Sequence, residues 1–223
     1  MKPLQTPRLA RRWRQGVIVF ACIWTAACGS GGATAADLPA KPMPANSIYQ
    51  LAVPLTDQNG ANFQLDDKRG RPLLITMFYS NCEFVCPRII EALKRTEEGL
   101  TSTERARVPV VAVTFDPARD DLAALQGVVA AHNLDAARWS VARTDVRTVR
   151  KLSATLGIQY RALPSGDFNH TSVLILLDAE GRIAGKTFTI GAADPVFVKL
   201  VKKTLAAADA RRATADARKP AAP

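Results

Sequence analysis

The residues Leu73-Leu74-Ile75-Thr76-Met77-Phe78-Tyr79-Ser80-Asn81-Cys82-Glu83-Phe84-Val85-Cys86-Pro87-Arg88-Ile89-Ile90 decide how this chain reads. An unbroken run of apolar, β-prone residues from Leu73 to Tyr79 predicts a strand buried on both faces, as in a parallel sheet. Ser80 and Asn81 end that run, and both are good helix N-cap residues. From Glu83 to Leu100 the apolar side chains fall at Ile89, Ile90, Leu93 and Leu100, a helical spacing. Cys82 and Cys86 are therefore expected where a central strand turns into a helix.

That location bears on their chemistry. Backbone N–H groups at a helix N-terminus favour negative charge, and thiols placed there fall from about 8.5 to roughly 3.5–7.5. A fuller thiolate is a better nucleophile and a better ligand for soft metals. Spacing of i and i+4 on a helix puts both sulfurs on one face, where they can close a disulfide or grip one ion together. Pro87 falls in the first turn, where a missing N–H costs nothing.

The chain has 223 residues, enough for one medium domain with extensions and a core that needs no disulfide. Its net charge is +10, but Lys2, Arg8, Arg11, Arg12 and Arg14 supply five positive charges within the first 27 residues, which leaves +5 for the remainder. No stripe of interleaved basic and aromatic residues argues for nucleic acid. The basic start followed by the apolar run from Gly16 to Ala27, which contains Cys22, has the form of a signal peptide over residues 1–27 and predicts export. Thr25-Ala26-Ala27-Cys28-Gly29 resembles a bacterial lipobox, so Cys28 is the expected lipid attachment site and the periplasmic face of the bacterial inner membrane the expected location. Simple cleavage near Ala35 or Ala36 is the rival. Residues 28–46, rich in Gly, Ala and Pro, read as a flexible tether. Only Cys82 and Cys86 then remain in the exported domain, and a single close pair points to chemistry more than to a structural staple.

Residues 47–208 read as one domain. Ile48 to Val53 and Asn62 to Leu65 are expected to pair as an N-terminal β-hairpin around Asp57-Gln58-Asn59-Gly60. Val108 to Thr114 is a second buried strand. Asp116 is placed to cap the next helix with Pro117 at its first position, and Leu122, Leu125, Val128 and Val129 give that helix an apolar face. Trp139 to Ala142 is a strand, Asp145 to Leu156 a helix, and Ile158 to Ala162 a short extended piece before the Pro164–Asp167 loop. Val173 to Leu177 and Arg182 to Thr189 form a second hairpin, and Pro195 to Ala208 a closing helix. Residues 209–223 are expected to be a disordered tail. Strand and helix alternate and a hairpin follows, which predicts an α/β fold with a mixed sheet flanked by helices.

The Cys82-to-Pro87 pattern with its Tyr-Ser-Asn lead-in, the segment Thr114-Phe115-Asp116-Pro117-Ala118-Arg119-Asp120, and Asn169-His170-Thr171 ahead of a strand together resemble the Sco/SenC family of thioredoxin-like copper chaperones. The resemblance runs from about Ile48 to Leu205. Between the cysteines, where the frequent family pattern is Cys-Pro-Asp-Val-Cys-Pro, this chain has Glu83, Phe84 and Val85, departing at the first two. It implies a thioredoxin-like fold and places His170 across from Cys82 and Cys86. Two thiolates and one imidazole suit Cu(I), and with an added ligand Cu(II). It further implies a role in handing copper to the copper A centre of a respiratory oxidase, with the oxidase copper-site subunit and periplasmic copper or thiol-redox proteins as partners. The same sulfurs serve the alternative, a thiol-disulfide reductase acting on the oxidase cysteines. A peroxidase, suggested by Phe84-Val85-Cys86-Pro87, needs Thr or Ser where Glu83 stands. For His170 the plain alternative is a loop histidine bonded to backbone, which its place in the resemblance outweighs, whereas His132, at the end of an amphipathic helix, reads as a solvated or C-capping residue. Asp116 reads first as a cap and second as support for the metal or thiols. Tyr79 and Phe84 read as packing residues.

Overall fold

In the computed structural model, residues 42–217 are described. The leader, Cys22, Cys28 and most of the tether lie outside them. The central strand β3 (Leu73–Phe78) is buried at all six positions, as are all residues of β4 (Val110–Thr114) and β8 (Leu174–Leu177). Strands with no solvent-facing side must be covered on both faces, and uninterrupted apolar runs are what such strands require. The polar exception in β3, Thr76, donates its hydroxyl to the Val173 carbonyl at 2.8 Å.

β3 pairs in parallel with β4 and antiparallel with β8; β4 pairs in parallel with β5 (Trp139–Arg143). Outside these lie β1 (Pro54–Asp57), β2 (Asn62–Gln64) and β9 (Ile183–Thr187), giving the order β2-β1-β5-β4-β3-β8-β9. Helices α1 (Val85–Glu98), α3 (Leu122–His132), α4 (Val146–Leu156) and α5 (Pro195–Ala217) flank this sheet, with a single helical turn, α2 (Ser102–Arg105), after α1. α1 buries Cys86, Ile89, Ile90 and Leu93, so the stripe that forms the core also fixes one thiol. Among the described residues no helix is long and apolar enough to cross a membrane.

Five details depart from the sequence reading. Ile48 and Tyr49 lie in a short 3-10 turn, Ile48–Gln50, with the Ile48 N–H on the Gly181 carbonyl at 2.9 Å, so the hairpin starts only at Pro54. Both side chains bury at once, which a strand with one face to solvent would not allow. The helix after β3 starts at Val85, and neither Ser80 nor Asn81 caps it; the chain first makes a turn in which the Cys82 N–H meets the Tyr79 carbonyl at 3.4 Å. α3 is capped by Asp121, whose carboxylate accepts the Ala124 N–H at 2.9 Å, while Asp116 sits in the preceding turn. The segment around 160–170 folds on itself as β6 (Tyr160–Ala162) and β7 (Phe168–His170), a two-stranded sheet separate from the main one. α5 continues to Ala217 through residues expected to be disordered from 209; Ala and Arg are strong helix formers, and Asp209 is ion-paired with Arg107.

Candidate metal centre

Cys82 stands half-buried in the turn after β3, Cys86 is 3% exposed in the first turn of α1, and His170 ends β7. Their three ligand atoms, two Sγ and one imidazole nitrogen, all lie within 4.8 Å of one another. Both thiols are free. The shortest sulfur-to-imidazole approach is Cys86 Sγ to His170 Nε2 at 4.0 Å. Ligand atoms held at about 2.0–2.3 Å from one ion stand at most about 4.6 Å apart, so closing on a metal needs only small movements.

The imidazole is oriented from behind. His170 Nδ1 is 3.3 Å from the Thr171 carbonyl, which can only accept, so Nδ1 carries the proton and the Nε2 lone pair faces the sulfurs. Burial, opposed in part by the Thr171 carbonyl, holds the ring's pKa below its ordinary value and so favours the neutral form that can ligate. Aromatic rings wall it in: Phe115 lies 4.9 Å away between centroids and Tyr79 6.1 Å away, edge-on. Tyr79 is buried as expected, and burial followed by its bond to Cys82 pushes its hydroxyl up to about 12.

The two thiols are unlike. Burial raises the pKa of Cys82, but the N–H of Cys86 at 3.3 Å, the Cys86 thiol, the Tyr79 hydroxyl and the Val85 N–H together bring it below the usual thiol range. The helix start thus acts through real donors aimed at one sulfur. Cys86 has little such help against its burial, which pushes its thiol far up.

Beneath the cysteine turn sits Asp120, 1% exposed. Its carboxylate accepts the Ser80 N–H at 3.1 Å, the Ser80 hydroxyl and the Thr114 hydroxyl. In the sequence Asp120 stands out only as the last residue of the Thr114–Asp120 segment. The hint available was a Ser at the end of one buried strand and a Thr at the end of the next, two hydroxyls that need an acceptor.

The remaining candidates fall elsewhere. Asp116 is ion-paired with Arg119, and its N–H rests on the Thr114 hydroxyl at 2.9 Å. His132 closes α3, where its carbonyl accepts from Lys94 at 3.0 Å. Phe84, expected to pack, is 78% exposed. It lines a cavity of about 500 Å³ together with Tyr79, Cys82, Glu83, Phe168 and His170, so the site is open to solvent on one side. A larger cleft, of about 890 Å³, lies at the β1–β2 hairpin and includes neither thiol.

The sequence profile of the SCO1/SenC family matches residues 44–205. A Stutzerimonas stutzeri protein provisionally named for copper binding is 24% identical over 135 residues, covering 59% of this chain; the chain spans 65% of that relative's length. Among solved structures, copper-bound ScoI of Bradyrhizobium japonicum superposes with a TM-score of 0.57 at 20% identity, over 69% of this chain and 96% of that one. A SCO1/SenC family lipoprotein of Bacillus anthracis gives 0.62 at 19% identity, over 70% and 94%. These likenesses identify the thioredoxin-like fold expected from the sequence.

Proposed function

The chain belongs to the SCO1/SenC family, and we propose that it binds copper through Cys82, Cys86 and His170 and passes the ion to the copper A centre of a respiratory oxidase. The observation that carries this reading is the convergence of two thiols and a neutral imidazole nitrogen within 4.8 Å. Such a soft donor set favours Cu(I). The copper held by the Bradyrhizobium relative supports the choice of metal. Three donors and an open side suit a cargo that must leave, because an incoming thiolate or imidazole of the acceptor can bind the ion before these ligands release it. Cys82, acidic and partly exposed, is the natural first ligand. Export and acylation at Cys28 would tether the domain at the periplasmic face of the inner membrane, beside such an acceptor. Copper content of the reduced domain after reconstitution, compared with Cys82→Ser, Cys86→Ser and His170→Ala, tests the reading.

The contrast between the thiols favours a second reading. A half-buried thiol of lowered pKa beside a buried partner whose pKa is raised is the arrangement of a dithiol reductase, with Cys82 attacking and Cys86 resolving the mixed disulfide. In that case the domain would keep the oxidase's own cysteines reduced, and His170 would be dispensable.

A further inference from the structure

The strand that carries His170 is not part of the main sheet. Among the described residues β6 and β7 pair only with each other, and an isolated two-stranded hairpin is marginally stable on its own. The cysteines are placed by β3 and α1. The distance from sulfur to imidazole is therefore set by whatever holds the hairpin against the body of the domain.

Arg119 spans that gap. Its Nε donates to the Asp116 carboxylate and its Nη2 to the Gly166 carbonyl, which lies in the loop joining β6 to β7. Its guanidinium carbon stands 5.6 Å over the ring of Phe168, two residues before His170. The loop is shaped to receive it. Gly166 has φ +88, and a Cβ there would lie 3.2 Å from Arg119 Nη1. The other end of the clasp is firm, since Asp116 is 7% exposed and Arg143 donates to the Pro117 carbonyl at 2.9 Å.

We propose that Arg119 is a positioning residue: it locks the β6–β7 hairpin so that His170 Nε2 stays within reach of the two sulfurs. The inference rests on the copper-site reading above. A planar fork with donors on two edges can serve two acceptors on separate segments at once, which an ammonium cannot do in the same geometry. Arg119 is itself 44% exposed at the side chain, so its ion pair adds little to stability. Its effect is on geometry.

The test uses the purified domain with Arg119→Ala, Arg119→Lys and His170→Ala beside the parent. Cu(I) affinity is measured by competition with a chelator, and the imidazole nitrogen is followed in the Cu(II) form by pulsed electron paramagnetic resonance. Arg119→Ala should weaken copper binding about 10-fold, as loss of a group that orients a ligand does, and reduce the imidazole coupling. Arg119→Lys should fall between it and the parent. The thiol redox titration should be unchanged, which separates displacement of His170 from damage to the cysteine turn. Parent-like affinity and coupling in Arg119→Ala, beside weakened binding in His170→Ala, would overturn this inference alone. Weakened binding with full imidazole coupling would also overturn it. A parent-like His170→Ala would remove the three-ligand reading and this inference with it.

Discussion

The Cys86 N–H points at the sulfur of Cys82 from 3.3 Å, so one cysteine of the pair is a donor to the other. The motif is asymmetric by construction, because Cys82 lies just outside the helix and receives its N–H groups, whereas Cys86 lies inside the first turn and is buried by it.

The asymmetry predicts the order of modification. The thiolate is the species that reacts, so alkylation of Cys82 should rise with pH through a midpoint below the ordinary thiol value, with Cys86 following only at much higher pH. Peptide mapping after a limited pulse of iodoacetamide at several pH values reads both rates. Equal rates with ordinary thiol profiles would contradict the geometry.

Asp120 serves three donors from one buried carboxylate, so Asp120→Ala should cost about 1–3 kcal/mol in denaturant unfolding by stranding the Ser80 and Thr114 groups. Asp120→Asn, which keeps an acceptor oxygen, should cost less. If Asp120→Ala unfolded like the parent, the cysteine turn would not depend on this carboxylate.

The acylation proposed for Cys28 is read from the mature N-terminus. Two or more acyl chains hold a protein at a bilayer, each buried CH₂ contributing about 0.8 kcal/mol. Mass spectrometry should find an acylated Cys28 and a membrane fraction that loses the protein in Cys28→Ser. An unmodified N-terminus at Ala36 or Asp37 would rule the anchor out.

What the sequence made legible follows the range of the forces involved. The run Leu73–Tyr79 could be recognised because a strand covered on both faces needs apolar residues at every position. Asp121, Asp145 and Asn133 cap their helices through bonds to neighbours a few residues away, yet the sequence reading assigned a cap to none of them and only set the start of α4 at Asp145, one residue early. The nearer Asp116-Pro117 pair looked like the start of α3 until Asp116 proved to be engaged with Arg119. Ser80 could not be judged locally, since the carboxylate that takes its hydroxyl lies 40 residues on. The β6–β7 hairpin escaped notice for a similar reason: three-residue strands carry almost no periodicity, and this pair packs through Tyr160 and Phe168 on Tyr79 and Phe115 while Arg119 bonds its loop, all contacts between segments distant in sequence. The two thiols were placed from their local motif, whereas His170 came to the site only through the family resemblance.

Whether Cys82, Cys86 and His170 form one copper site is decided by a copper titration of the reduced domain beside its three single variants. One copper per parent chain is expected, with loss of binding in Cys82→Ser and Cys86→Ser and strongly weakened binding in His170→Ala, whose Cys82–Cys86 disulfide should still be able to form. Copper binding by His170→Ala as tight as the parent's would mean that the imidazole is not a ligand and leave dithiol exchange as the better explanation of the two cysteines.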